Sequence, residues 1–438
     1  MRSMSVATVL EAPQRPSRLL ATLALVVPAM TALTVGLTHL TLRPLWPDEL
    51  ITVSRVENGF GRLISDTWDV PLLPYYATVY IWTLGGQFTS DAWLRALSLL
   101  MTVAAVTLCT AAIKHLYGPW TALVGGSVLA FAPSVAYYAQ EGRAYASGLF
   151  FVCLSTFALV RVVLVQPQRS VWLYSLSLAA SAVLMQSALV VLVVHPVVLA
   201  ALPGPVKPRL IRWGRAVAWA LPLVVLAAVL LTLHGSSVHG WLTAPGLGDL
   251  LKIPALITRW NPFGLILISM ALLTRQGLAW LAGGAAAVVA VWLLSVIGTS
   301  FWLEGTLTLL MPILAMACAA SLSGLRPGTM LAWVCFIAVV TLPQTYGVVS
   351  RIEPTRYSRA VVDTVVDSDI RHVLVTEPGL IFGVTAAFRH YAPDIPVQIV
   401  EPDQSLPGRP YWIIGPNLSC VAGLPTQVTP TLTMVLCP

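Results

Sequence analysis

Charge is what this chain most lacks. Only 10% of its 438 residues are Asp, Glu, Lys or Arg, where a soluble domain carries about 25%. That scarcity, with 57% hydrophobic residues and a mean hydropathy of +0.81, excludes an ordinary soluble globular protein. No glycine-rich phosphate loop and no dinucleotide fingerprint is present, so nothing points to a soluble nucleotide-sugar or NAD site. The 6 cysteines show no metal-ligand spacing, and Cys109, Cys153, Cys318 and Cys335 sit in apolar runs as packing residues.

What is present is a series of apolar runs of about 20 residues, each long enough to cross a hydrocarbon core. They fall near 19–41, 93–113, 120–138, 145–165, 171–187, 188–203, 216–233, 262–274, 278–298, 305–323 and 329–349. The pattern predicts a polytopic α-helical membrane protein with about eleven crossings. The first run is too long, and has too little of a cleavage pattern, for a signal peptide, so it is read as a retained helix. Alternating sides from a cytoplasmic N-terminus collects Lys114, Arg161, Lys207, Arg209, Arg212, Arg215, Arg275 and Arg326 inside. Asp48, Glu49, Glu57, Asp66, Asp69, Asp91, Glu141, Asp249 and Glu304 then fall outside. This asymmetry follows the positive-inside rule, and it explains the net charge of +7 without nucleic acid. The aromatic-rich stretch 72–88 is expected to lie in the outer interface, since counting it as a span would reverse the sides.

Two outer loops carry the concentrated polarity. Residues 42–92 are long for a loop, rich in Trp, Pro and acids, and led by Trp46-Pro47-Asp48-Glu49-Leu50. An acid pair just after Pro is also an ordinary helix-start signal. The second loop, 137–146, contains Tyr138-Ala139-Gln140-Glu141-Gly142-Arg143-Ala144-Tyr145, and its charges lie almost inside apolar surroundings. Glu141 and Arg143 there could simply pair with each other. A third outer stretch, 234–261, with His234, His239, Trp241, Lys252 and Arg259, is read as a loop covering the acidic site. Residues 1–350 make the membrane part. From Arg351 the runs shorten and 8 of the 18 acids gather. Strands at 372–376 and 411–415 and a helix over 378–391 predict a small extracytoplasmic α/β domain at 351–438. On that side of the membrane Cys420 and Cys437 are candidates for a disulfide.

With Asp48-Glu49, then Pro71-Leu72-Leu73-Pro74-Tyr75-Tyr76, then Leu94-Arg95-Ala96-Leu97-Ser98, then the Gln140–Arg143 segment in this order, the chain resembles bacterial membrane glycosyltransferases of the GT-C superfamily. That group is related to protein O-mannosyltransferases and to the lipid A aminoarabinose transferase. The likeness is best over 19–200. It implies sugar transfer from a polyprenyl-phosphate donor to a hydroxyl acceptor (glycolipid, polysaccharide or protein) on the outer face of the bacterial cytoplasmic membrane. It implies Asp48 as base with Glu49 as its partner, and Arg143, with Tyr145 and Arg95, at the donor phosphate. Glu141 is implied as a ligand for a divalent metal, Mg or Mn. Asp69, Tyr75, Tyr76, Gln140 and Glu304 are the remaining cavity candidates. The sequence departs from the family where Val70 and Leu72 replace a His-Pro-Pro pattern and where Gly305-Thr306 follows Glu304. The competing classes are a transporter or flippase of a lipid-linked or polar substrate and a non-catalytic assembly subunit. No repeat relates the two halves and no acid falls at mid-membrane depth, both of which a coupled transporter would favour.

Overall fold

The computed structural model of the chain describes residues 18–437 apart from 66, 166–170, 240–241, 299, 352–358, 369–372, 376–377, 400–410, 416–424 and 430–431. Helix α1 (Arg18–Leu37) leads into a long connection holding α2 (Pro47–Glu57), α3 (Phe60–Ser65), a 3-10 turn (Thr67–Leu72) and α4 (Leu73–Trp82). Then come α5 (Asp91–Tyr117), α6 (Pro119–Ala130), α7 (Pro133–Ala139) and α8 (Tyr145–Leu159). The second half runs through α9 (Trp172–Leu184), α10 (Val191–Ala201), α11 (Val206–His239), α12 (Ile253–Thr258) and α13 (Asn261–Ala271). It continues with α14 (Arg275–Ile297), α15 (Glu304–Thr308), α16 (Met311–Leu322) and α17 (Pro327–Ser350).

Among the described residues, 7 helices are long and apolar enough to cross a membrane, or 9 if each of two bent pairs is one span. One such pair is α6 with α7, bent by 63° where Pro133 starts a new helix. About eleven crossings were expected from runs of spanning length. The shortfall lies at 171–187 and 188–203, whose helices Trp172–Leu184 and Gln186–Ala201 are apolar but shorter than a span. The 13 residues of α9 reach about 20 Å at 1.5 Å each, short of a ~30 Å core.

Small residues draw the helices together, as van der Waals packing in a bilayer requires. All 12 residues of α16 are buried, and a Cβ at Gly126 of α6 would lie 2.8 Å from Pro28 Cγ in α1. Arg161, after α8, sits 3.5 Å from His115 at the end of α5, while Arg143, before α8, meets Asp48 at the opposite end.

The stretch expected in the interface forms α4, too short at 10 residues to span. Ile81 near its end, and Leu84, Phe88 and Trp93 beyond it, are exposed. Trp82 and Trp93 stack with centroids 4.8 Å apart, and each indole N–H donates to the other's carbonyl at 2.8 and 3.1 Å. Such amphipathic rings suit a membrane–water boundary.

After α17 come α18 (Arg359–Val366), β1 (Val373–Val375), α19 (Pro378–Tyr391), β2 (Val397–Ile399), β3 (Tyr411–Gly415), β4 (Pro425–Thr429) and β5 (Leu432–Cys437). The strands form one sheet in the order β2-β1-β3-β5-β4. β1 pairs in parallel with β2 and β3, with Val375 opposite Ile399 and Ile414, while β5 is antiparallel to β3 and β4. The Cys420–Cys437 pairing cannot be placed, because Cys420 lies outside the described residues. Buried residues of the α/β unit, among them Val361, Val365, Phe388 and Ile414, share one apolar cluster with Leu45, Leu50, Val53 and Tyr75 of the first loop.

Candidate functional site

The Asp-Glu pair divides its work because neighbouring residues on a helix point about 100° apart. Pro47 starts α2 at the position where a missing amide costs nothing. Glu49 is the third helical residue, and its side chain turns back to the Trp46 amide at 3.2 Å, as in a capping box. It is 0% exposed, and both its oxygens are engaged. Oε1 accepts from Arg95 Nε at 2.9 Å and from the Gly142 amide at 2.6 Å, and Oε2 accepts from Arg95 Nη2 at 2.7 Å. Glu49 was expected to act beside Asp48. Its geometry assigns it to holding two loops together.

Arg95 is engaged in the same way. Its remaining donors go to the carbonyls of Leu40 (2.9 Å), Arg43 (2.6 Å) and Pro44 (3.0 Å). A guanidinium has five N–H groups, and these contacts with the two to Glu49 use all of them, leaving none for a phosphate. Gln140 is likewise a latch rather than a cavity residue. Wholly buried, its Nε2 donates to the carbonyls of Gly36 (3.0 Å) and Thr38 (2.6 Å), and its Oε1 accepts from Arg43 Nη2 (3.2 Å).

Asp48, one residue earlier, turns outward. Its side chain is 35% exposed, and Oδ2 lies 3.4 Å from Nη2 of Arg143, which is 14% exposed. Arg143 Nη1 donates to the Asp48 carbonyl and to Thr52 Oγ1, both at 3.3 Å. Both residues line a cavity of about 450 Å³, within the range of small-molecule sites. Tyr76, Tyr145, Gln186, Ser187 and Thr306 complete its polar end. The rest of the lining is apolar: Ile51, Leu72, Met185 and Phe301, with a wall of Val, Leu and Ala side chains from α10, α11 and α14 such as Val193, Ala228 and Val291. Of the tyrosine pair only Tyr76 faces this space. Tyr75 is buried in the loop core, and burial pushes its hydroxyl pKa up. The side chain of Asp69, on the 3-10 turn, lies outside the described residues.

A second charged group backs the polar end. Arg259 Nε lies 2.5 Å from Glu304 Oε1, and its guanidinium stacks 3.4 Å over the Tyr137 ring, with Arg43 4.5 Å from the same centroid. Arg259 has φ 56°, a left-handed backbone unusual for a residue with a side chain. Glu304 thus pairs with Arg259 beside cavity residues Leu303 and Thr306. The stretch expected as a covering loop is a 3-10 turn (Leu247–Lys252) running into α12, and His239 and Trp241 lie outside the described side chains. Glu141 is 3% exposed. Burial first, then repulsion from Glu49, raises its carboxyl to about 7, against the opposing influence of Tyr137, Arg43 and Arg259. Tyr137, Arg43 and Arg259 are not divalent-metal donors, and the nearby Glu49 carboxylate is already engaged by Arg95 and the Gly142 amide. No group of three His, Cys, Asp or Glu that could hold a metal occurs among the described residues.

Arg43, Gln186 and Ser187 were not singled out from sequence, although Gln186 and Ser187, at the break between two apolar runs, offered a signal.

No protein-family model matches the chain, and no curated protein matches it in sequence. Solved structures do match in fold. ArnT from Cupriavidus metallidurans in the apo state superposes with a TM-score of 0.59 at 14% identity, over 95% of this chain and 98% of that one. The same protein bound to undecaprenyl phosphate gives 0.58 at 14% identity over the same shares. The Archaeoglobus fulgidus oligosaccharyltransferase, in complex with Zn and sulfate, gives 0.54 at 10% identity, over 83% of this chain and 61% of that one. The chain therefore shares its fold with these proteins, and the likeness to ArnT extends over nearly the whole length of both chains.

Proposed function

We propose that the protein is a membrane glycosyltransferase that moves a sugar, hexosyl or pentosyl, from a polyprenyl-phosphate donor to a hydroxyl acceptor. The observation that carries this reading is the two-ended cavity. Asp48 and Arg143 stand at one end and a purely apolar slot between α10, α11 and α14 forms the other. A phosphorylated isoprenoid has the same division, and the ArnT structure holding undecaprenyl phosphate supports it. The polar end and the α/β unit are assigned to the outer face of the bacterial cytoplasmic membrane, following the positive-inside rule.

In this reading the phosphate lies against Arg143, whose planar guanidinium matches phosphate oxygens. The acceptor hydroxyl approaches the anomeric carbon beside Asp48. As the new C–O bond forms and the bond to the phosphate oxygen breaks, the hydroxyl proton passes to the Asp48 carboxylate. The lipid phosphate leaves with its charge facing Arg143. General-base assistance of this kind contributes about 10²–10⁴-fold. Tyr76 and Tyr145 wall the sugar between the two.

The test is to incubate the purified protein in lipid nanodiscs with radiolabelled polyprenyl-phosphate sugars and a panel of glycolipid, polysaccharide and peptide acceptors. Label moving to an acceptor supports transfer. Label crossing a proteoliposome bilayer without leaving the lipid would establish a flippase instead.

A further inference from the structure

Helix α19 ends in three residues that all grip the first loop. Arg389 Nη1 donates to Ser54 Oγ on α2 at 3.4 Å. His390 Nε2 lies 3.3 Å from Asp91 Oδ1. The Tyr391 hydroxyl accepts from the Leu45 amide at 2.9 Å and donates to Asp91 Oδ2 at 3.2 Å. From α18, the Arg359 guanidinium lies 4.9 Å over the Tyr391 ring.

The positions of these partners give the contacts their meaning. Leu45, fully buried, lies three residues before Asp48, in irregular backbone that no helix or strand ladder supports. Asp91 is the first residue of α5, one helical turn before Arg95. Arg95 holds this irregular segment from within, through the carbonyls of Leu40, Arg43 and Pro44. Tyr391 holds it from without, through the one amide that follows. A single hydroxyl therefore ties the peptide leading to Asp48 to the helix bearing the clamp beneath it. Burial pushes the Tyr391 pKa up, so the hydroxyl keeps the proton it donates to Asp91.

We propose that the C-terminal α/β unit is a brace for the Asp48 turn, with Tyr391 as the positioning residue that fixes Leu45–Asp48 against α5. That the braced turn is catalytic rests on the glycosyltransferase reading. The bracing itself does not. The function of the unit is then to set the angle at which Asp48 meets the acceptor, rather than to recruit a partner protein.

The experiment uses the full chain carrying Tyr391→Phe, which removes the hydroxyl and little else. Hydrogen–deuterium exchange is followed over the whole chain, and kcat and donor KM are measured with a polyprenyl-phosphate sugar. Loss of one hydrogen bond should speed exchange at the Leu45 amide by about fivefold or more, with the spans unchanged. Misalignment of Asp48 should lower kcat by about tenfold, with donor KM unchanged. Unaltered exchange across 45–57 overturns the brace whether or not transfer is detected. Faster exchange with full kcat overturns the positioning role. A wild-type protein without transferase activity defeats the glycosyltransferase reading, and the exchange data still decide the brace. Should Tyr391→Phe not insert, Arg359→Ala, which removes the cation over the Tyr391 ring together with its exposed 3.7 Å pair to Asp363, is read by the same criteria.

Discussion

The Gly142 amide donates to Glu49 Oε1 at 2.6 Å across a separation of 93 residues. This bond, with the Arg95 pair on the same carboxylate, makes the two loops one body. Removing one partner of a buried, fully bonded pair leaves the other charge stranded, at about 3–5 kcal/mol. Glu49→Ala should therefore lower the melting temperature in detergent sharply, as should Arg95→Ala. The double variant should lose less than the two single losses combined, because they share one interaction. A Glu49→Ala protein melting with wild type would show that the clamp bears no weight.

Gly142 also answers to space. A Cβ built there would lie 2.7 Å from Leu94 Cγ and Cδ2. Gly142→Ala should cost about 1–3 kcal/mol as an overpacked site. Adding Leu94→Ala, which clears the obstruction, should recover part of that loss against the sum of the single changes. Strict additivity of the two would rule out the clash as the cause.

Much of this arrangement was open to reading, and the part that was not has a physical reason. Hydropathy marks apolar runs well, so the bundle from α1 to α8 falls where the runs place it. The same signal overstates α9, because an apolar run says nothing about where a helix stops. Asp48 and Glu49 are indistinguishable in a sequence. Only the direction of α2 decides that one faces the cavity and the other the Arg95 clamp. Arg95 and Gln140 were expected at the donor phosphate and in the cavity because the resemblance places their motifs there. Here they satisfy backbone carbonyls at the end of α1, a three-dimensional fact with no local signature. The cavity's apolar slot was illegible, since Val193 or Ala228 reads the same whether it packs a core or lines a groove. Short strands β4 and β5 carry too little periodicity to register.

Asp48→Asn keeps size and polarity at a half-exposed position and removes the proton acceptor. Insertion and melting temperature should stay at wild-type values while kcat falls by about 10²–10⁴-fold. Turnover near that of wild type in the purified variant would exclude Asp48 as the base.

The buried Glu141 carboxyl gives a pH dependence of defined sign. Folded, it titrates at about 7, against an ordinary value of 4.5. Between these values the folded chain still holds a proton that the unfolded chain has released. Folding stability therefore falls as pH rises from 4.5 towards about 7 and levels off above it. Glu141→Gln cannot ionise and should lack this component. Relative to wild type the variant should thus gain melting temperature across that window. A gap between the two proteins that stays constant from pH 4.5 to 8 would mean that Glu141 does not change its protonation on folding.

Among the described residues, Arg143 is the one guanidinium in the cavity lining, and the other described walls offer a phosphate no compensating charge. A lipid phosphate entering that slot loses its hydration, so the interaction replacing it must be strong and directional. Guanidinium supplies both through paired N–H groups, and an ammonium supplies only charge. Arg143→Ala should therefore raise donor KM by about 10–100-fold, given about 1.5–3 kcal/mol for a hydrogen bond to a charged group. Arg143→Lys should fall between the variant and wild type. Acceptor KM should not follow, because Arg143 reaches the acceptor only through Asp48. Equal rises in both constants would mean that Arg143 supports the Asp48 turn, to which it is bonded at 3.3 Å, and that the phosphate finds its countercharge elsewhere.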